Sequence, residues 1–362
     1  MKIFIMHQTI TDHDAIGNDI EAMYKILNSC CKDNCFAYAE NKLNKNINYV
    51  TYDDLIEGIQ NTDSTVIYHH SIFWQRGYDI LKKAKSKIII RYHNITPPEF
   101  FAPYNHSSFL SCKQGRSQTN DLIKEFPNAF WISDSYFNAK DLVGVNNKNL
   151  TVIPPFHIMD KIKDTIPNEK TIKKLIESPE INILFVGRLA PNKGHLFLLD
   201  VVKIFNNSYK KKIKLFIIGK RDTSLNNYAD LIITKIKQFR IEKYVEIVGE
   251  ANDEELFSYY LGCDFYINAS EHEGFCVPVL EAQVLGLPVI ALNKSAVPET
   301  MGNNRLLLEP DPKKFAAAIK ILFDNEKMRN YLIGNGLKNY YSRFKLEKIK
   351  MDFIKIIKQV IT

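Results

Sequence analysis

The sequence predicts an α/β protein built from two doubly wound domains, each around a mostly parallel sheet. Three observations carry this. Short β-branched and aromatic runs alternate with longer segments of helical period, the pattern of βα units. The alternation breaks once, between Pro154 and Pro179, and then starts afresh. A length of 362 residues suits roughly two cores rather than one.

In the first half the strand candidates are 2–7 (K-I-F-I-M-H), 65–70 (T-V-I-Y-H-H), 87–93 (K-I-I-I-R-Y-H), 129–133 (A-F-W-I-S) and 150–153 (L-T-V-I). The Pro-rich and Lys-rich stretch that follows, with one short helix-like segment, reads as a connector. The second set is 181–187, 214–219, 244–249, 264–270 and 288–292, and its first three members end in Gly187, Gly219 and Gly249. A glycine there lets the chain turn sharply at the carboxyl edge of the sheet. The expected division is therefore a first domain over 1–157, a linker over 158–180, a second domain over 181–340 and a terminal segment over 341–362. Ligands of doubly wound sheets bind outside the carboxyl ends of the strands, so the expected site is a cleft between the two domains. In the last segment Leu346, Ile349, Phe353, Ile356 or Ile357, and Val360 share one helical face with lysines elsewhere. That face suits either packing on the protein or lying on a membrane surface.

A 45% hydrophobic and 25% charged composition is that of a globular protein. No run approaches the ~20 apolar residues of a spanning helix, and the start M-K-I-F-I-M-H-Q lacks the apolar core of a signal peptide. A cytoplasmic location is the expectation. The six cysteines show no paired C-x-x-C spacing and read as reduced thiols. Cys30, Cys31 and Cys35 form one cluster only, too few groups for a zinc module. The net charge of +7 is uneven: up to His157 there are 16 Lys+Arg and 16 Asp+Glu, and after it 32 against 25. The basic second half suits phosphate-bearing ligands, an anionic membrane surface or a solvated face.

Two stretches of the second half carry candidate chemistry. In S-E-H-E-G-F-C-V-P-V-L-E-A (270–282) a strand ends and a helix should begin near Pro278, where a missing N–H loses nothing, and stop near Gly286. His272-Glu273 does not open a zincin H-E-x-x-H, because position 276 is Cys276. Two carboxylates on one turn are also poorly placed to face each other across a glycosidic bond. Amides around Gly274, Phe275, Cys276 and Val277 can instead bind phosphate oxygens at the helix start, while Glu273 and Glu281 accept hydrogen bonds from sugar hydroxyls. In G-R-L-A-P-N-K-G (187–194), Gly187 closes a strand, and Arg188 and Lys193 share one loop. A planar fork and a point charge together neutralise a diphosphate. A phosphate joined to sugars fits both stretches.

G-R-x-x-x-x-K-G, followed by E-G-F-x-x-P-x-x-E-A-x-x-x-G-x-P-V-I-A and then Val297-Pro298-Glu299, resembles the retaining family 4 glycosyltransferases of GT-B fold. The resemblance implies two Rossmann-like domains facing a central cleft and metal-independent transfer of a hexose. Its roles fall on Arg188 and Lys193 at the diphosphate of a nucleotide-sugar donor, on Glu281 at the ribose and on Glu273 by the transferred sugar. Gly187, Gly274, Phe275, Cys276 and Val277 complete the donor site. R-Y-H-N-I-T-P-P (91–98) resembles the acceptor-side loop of members that transfer mannose from GDP-mannose. It would place His93 near the reacting centre, with Asn94 and Gly17 on the acceptor side, and would have the last helix cross back onto the first domain. Read without the resemblance, His93 is a hydrogen-bonded residue ending a buried strand.

Donors implied are GDP-mannose first and UDP-sugars second; the acceptor implied is a saccharide or lipid-linked saccharide in surface polysaccharide synthesis, with peripheral membrane contact. No cofactor, metal or nucleic-acid partner is implied. The chain departs from the family at Cys276, where glycine is usual, and at Ser295-Ala296, where a Gly-Gly pair is usual. Asp12-His13-Asp14 resembles the metal-binding D-x-D of another glycosyltransferase fold, but follows the first strand and reads as a helix cap. Two rival readings are a nucleotide-sugar epimerase on the same fold and a catalytically silent protein that binds a nucleotide or glycan as an assembly partner.

Overall fold

The computed structural model describes every residue except 13, 32–33, 160–163, 304 and 362, and the side chain of Cys31. Two compact units are present. The first comprises Met1–Pro98, Leu110–Ile158 and Phe344–Thr362, the second Glu99–Phe109 and Met159–Arg343.

The first unit holds a six-stranded parallel sheet of β1 (Ile3–Met6), β2 (Cys35–Tyr38), β3 (Thr65–His70), β4 (Lys87–Tyr92), β5 (Phe130–Ser133) and β6 (Leu150–Val152), in the order β2-β1-β3-β4-β5-β6. β1 and β3 are buried along their whole length, as strands covered on both faces are; β1 reads as a continuous apolar run, whereas β3 ends in two histidines. The histidines of β3 therefore need internal partners, and His70 Nε2 finds Thr119 Oγ1 at 2.9 Å. Helix α1 (Ala15–Cys31) lays Ile20, Met23, Tyr24 and Leu27 on the core at helical spacing.

The second unit holds β7 (Ile181–Val186), β8 (Ile213–Ile218), β9 (Val245–Gly249), β10 (Phe265–Asn268), β11 (Val289–Leu292) and β12 (Leu306–Leu308), in the order β9-β8-β7-β10-β11-β12. This is the Rossmann order, with its switch point between β7 and β10. Alternation along the strands fills two cores. Ile183, Phe185, Leu215, Ile217, Phe265 and Ile267 point to one face, and Leu184, Phe216, Ile218 and Tyr266 to the other.

The structure differs from the sequence reading in four places. Strands β2 and β12, and a two-stranded pair of Thr9–Ile10 with Asn41–Lys42, were not expected, because each is only two to four residues long. From Met159 the expected linker is part of the second unit: helix Glu169–Ile176, capped by the Asn168 side chain accepting from the Thr171 amide, buries Leu175 in the second core. Glu99–Phe109 also lies in the second unit, where the Tyr104 ring meets Tyr228 edge-on at 5.0 Å and Asn105 Nδ2 donates to the Ser224 carbonyl. Residues 341–343 stay with the second unit too, and only from Phe344 does the chain belong to the first.

Helix α4 (Leu346–Ile361) buries Ile349, Phe353 and Ile357 in the core of the first unit. Its apolar face is thus spent on packing, which removes the membrane-surface reading of that face. No described helix is long and apolar enough to cross a membrane.

Candidate active site

The loops after β7, β10 and β11 meet at the switch point of the second unit. The first two touch at Gly194, whose φ of 73° is left-handed and where a Cβ would stand 2.1 Å from the Ala269 carbonyl oxygen. Asn192 joins them further: its Nδ2 donates to the His272 carbonyl at 3.0 Å, and its carbonyl accepts from the Glu271 amide at 2.9 Å. Lys193 and Glu273 form an ion pair at 2.7 Å, with side chains 17% and 12% exposed, so the expected diphosphate and sugar ligands already hold one another. Arg188 is exposed in the same loop.

Helix α2 (His195–Ser208) starts directly after Gly194, and α3 (Val277–Val284) follows the carboxylate turn. Neither has a side-chain cap, and Pro278 sits in the first turn of α3. Uncapped amides at a helix start, with the helix dipole behind them, favour an anion. Cys276, at φ 75°, turns its side chain into the core, where Sγ accepts from Asn268 Nδ2 at 3.3 Å. Burial pushes its thiol well up, so it stays a neutral packing group and only its backbone remains for a ligand. Phe275 is likewise buried. Within α3, Glu281 is 7% exposed and accepts from Tyr260 Oη at 2.6 Å. Burial pushes its carboxyl up to about 7, against the opposing effect of that hydrogen bond.

The first unit carries a separate polar cluster behind the carboxyl end of β4. Arg91 is fully buried between Asp19 (3.0 Å) and Asp134 (2.8 Å). Burial opposes its charge, but the two carboxylates outweigh it and raise its pKa. His93, just after β4, bonds Asp134 through Nδ1 at 2.9 Å and His69 Nδ1 through Nε2 at 2.8 Å. Burial drives the His69 pKa well down, so His69 is neutral and one proton is shared along that contact.

Asp19, His69 and His93 lie within 4.8 Å of one another, close enough for three ligands of one cation. Their geometry is that of a hydrogen-bonded network: the two ring nitrogens point at each other, and Asp19 is committed to Arg91 and to the Phe156 amide. Asn94 (φ 71°) is buried and donates to Asn138 Oδ1. Gly17, expected in a loop, lies in the first turn of α1, where its amide donates to Asp14 Oδ1 and a Cβ would meet the Thr11 carbonyl at 1.9 Å. Asp14 thus serves the helix start. His13 of the D-x-D resemblance and Cys31 of the cysteine cluster lie outside the described side chains.

Sequence reasoning missed the roles of Asn192, Tyr260 and Ser295 in the second unit, and of Asp19, His69 and Asp134 in the first, and noted Ser295 only as a departure from the family. All six act through contacts 21 to 137 positions away along the chain, and a linear pattern carries no sign of those.

Two doubly wound units, the second with a turn of carboxylates and an uncapped helix start at its switch point, define the GT-B class. A solved structure of Anabaena HepE in complex with UDP superposes with a TM-score of 0.79 at 15% identity, over 99% of this chain and all of that one. Residues 167–339 match the family model described as glycosyl transferases group 1. The capsular polysaccharide biosynthesis glycosyltransferase CapH of Staphylococcus aureus is 26% identical over 60% of this chain and 62% of its own length. From Campylobacter jejuni, the N-acetylgalactosamine-N,N'-diacetylbacillosaminyl-diphospho-undecaprenol 4-alpha-N-acetylgalactosaminyltransferase is 28% identical over 67% of this chain and 65% of its own. The chain therefore matches less than two thirds of the length of either relative.

Proposed function

We propose that the protein is a retaining glycosyltransferase that moves a sugar from a nucleoside-diphosphate sugar to a saccharide or lipid-linked saccharide in surface polysaccharide synthesis. The observation that carries this is the pairing of Lys193 with Glu273 at the switch point of a Rossmann-ordered sheet, with Arg188 in the same loop as Lys193 and Glu281 in the helix that follows Glu273. Named activities of the relatives support the acceptor class, since one acts in capsule synthesis and the other on a diphospho-undecaprenol saccharide. For the donor, UDP in the structural neighbour supports a uridine nucleotide, and the 91–98 stretch supports GDP-mannose.

In this reading the diphosphate enters between Arg188 and the first turn of α3 and draws Lys193 from Glu273. The carboxylate so released accepts hydrogen bonds from hydroxyls of the transferred sugar, and Glu281 accepts from the ribose. As the glycosidic bond breaks, negative charge grows on the diphosphate where the cations and amides are already oriented, so the transition state gains more than the ground state. The acceptor proton passes to the leaving phosphate oxygen, and no protein base is needed. His93 and its cluster serve the acceptor side.

The test is a thermal-shift panel of UDP, GDP and ADP and their sugars, with and without magnesium. A selective rise with one diphosphate nucleotide, equal in both conditions, is the expected outcome. No shift at millimolar nucleotide would give the silent-partner reading precedence. Arg188→Ala should lower donor turnover by about 10²–10³, the scale of one lost oxyanion donor; near-full activity would remove Arg188 from this role.

A further inference from the structure

Among the described residues, four non-glycine positions have left-handed backbone: Asn94, Arg240, Cys276 and Ser295. Arg240 caps a helix, and asparagine tolerates this region through its short amide side chain. Ser295, at φ 52°, has neither reason. Strain of this kind persists where the surroundings fix it, and it gathers at ligand sites.

What Ser295 gains is a grip on Glu273. Its Oγ accepts from the Glu273 amide at 3.0 Å, and the next amide, of Ala296, donates to the Glu273 carbonyl at 3.4 Å. The loop after β11 thus holds the main chain of Glu273 on both its polar groups, while Lys193 holds its carboxylate at 2.7 Å. Ser295 is only half-buried, and an accepting hydroxyl keeps its own proton for a further partner. Glycine would adopt this backbone without strain but would leave the Glu273 amide without the hydroxyl.

We propose that Ser295 is a positioning residue for the transferred sugar: its hydroxyl fixes the main chain of Glu273 so that the carboxylate stands ready for the sugar hydroxyls of the donor. This rests on the donor-site reading given above. Discrimination among donor sugars, not nucleotide binding, then depends on Ser295.

The experiment measures Kd for UDP, GDP, UDP-glucose, UDP-N-acetylglucosamine and GDP-mannose, together with Tm, for the full-length wild type, Ser295→Gly and Ser295→Ala. For Ser295→Gly the expected result is an equal or higher Tm, an unchanged Kd for the preferred nucleoside diphosphate, and a Kd for its sugar weakened about ten-fold, the scale of one lost supporting hydrogen bond. Ser295→Ala keeps the strained backbone and should lose Tm as well as sugar affinity. An unchanged ratio of the two Kd values in Ser295→Gly overturns the proposal. A fall of Tm in Ser295→Gly, or equal weakening of nucleotide and nucleotide sugar, would make Ser295 a packing residue and also overturn it. If the wild type binds none of the five, the donor-site reading fails and the proposal falls with it.

Discussion

Glu281 shows how burial and chemistry meet in one side chain. Its carboxyl has a pKa of about 7 in the folded chain against an ordinary 4.5. Between those values the folded state holds a proton that the unfolded state has lost, so stability falls as pH rises from about 4.5 to about 7 and is level on either side. The full loss is about 3 kcal/mol, because each tenfold change in proton affinity corresponds to about 1.4 kcal/mol. Glu281→Gln removes this titration. Thermal melts should find the two proteins alike at pH 4.5 and the variant more stable at about pH 8. Calorimetric titration on the alkaline side should find its nucleotide binding weaker by roughly 1.5–3 kcal/mol, since a neutral amide replaces the carboxylate proposed to face the ribose. Parallel pH profiles for the two proteins would contradict the raised pKa, and unchanged nucleotide affinity would contradict the ribose role. A residue that destabilises the free protein while serving the ligand is the expected mark of a binding group.

Elements differ in how openly the sequence announces them. Helix α4 declares its buried face through Ile349, Phe353 and Ile357 at a spacing of four, and the structure buries all three. Phe353 meets Phe156 edge-on at 5.5 Å and is fully buried. Phe353→Ala should therefore destabilise the first unit by about 3–5 kcal/mol through lost burial and a cavity. A calorimetric scan should show that unit melting roughly 10 °C lower, at about 2–4 °C per kcal/mol for a unit of this size. A change under about 1 kcal/mol would mean that α4 is not part of this core. Strands β3 and β7 were equally legible, being six-residue runs rich in β-branched and aromatic residues, whereas β2 and β12 were too short to rise above their surroundings. The Glu273 turn was legible as a composition of groups. Its grip by Ser295 was not, because a hydrogen bond across 22 positions depends on two strands being adjacent.

At the scale of the molecule, neither unit is one continuous piece of chain. The first needs residues 344 onward to close its core, so a fragment of residues 1–158 lacks the Phe353 ring that meets Phe156 and the other core members that α4 supplies. Without Ile349, Phe353 and Ile357 in that core, such a fragment should bind ANS and lack near-UV dichroism, and adding a peptide of residues 344–361 should reduce the dye signal. A fragment with native-like near-UV dichroism and no ANS binding would show that α4 is dispensable.

The sequence by itself determined the α/β class, most long strands, and the residue types that the proposed function assigns to a diphosphate and sugar hydroxyls. These are properties of nearest neighbours and short periods, which a linear chain displays directly. Tertiary structure alone decided that Lys193 and Glu273 pair, that Tyr260 supports Glu281, that Cys276 faces the core and that His93 stands between Asp134 and His69. Each is a contact between segments that the sheet makes neighbours and the chain keeps far apart. The order of the strands, set by how two buried faces are filled at once, is what brings them together.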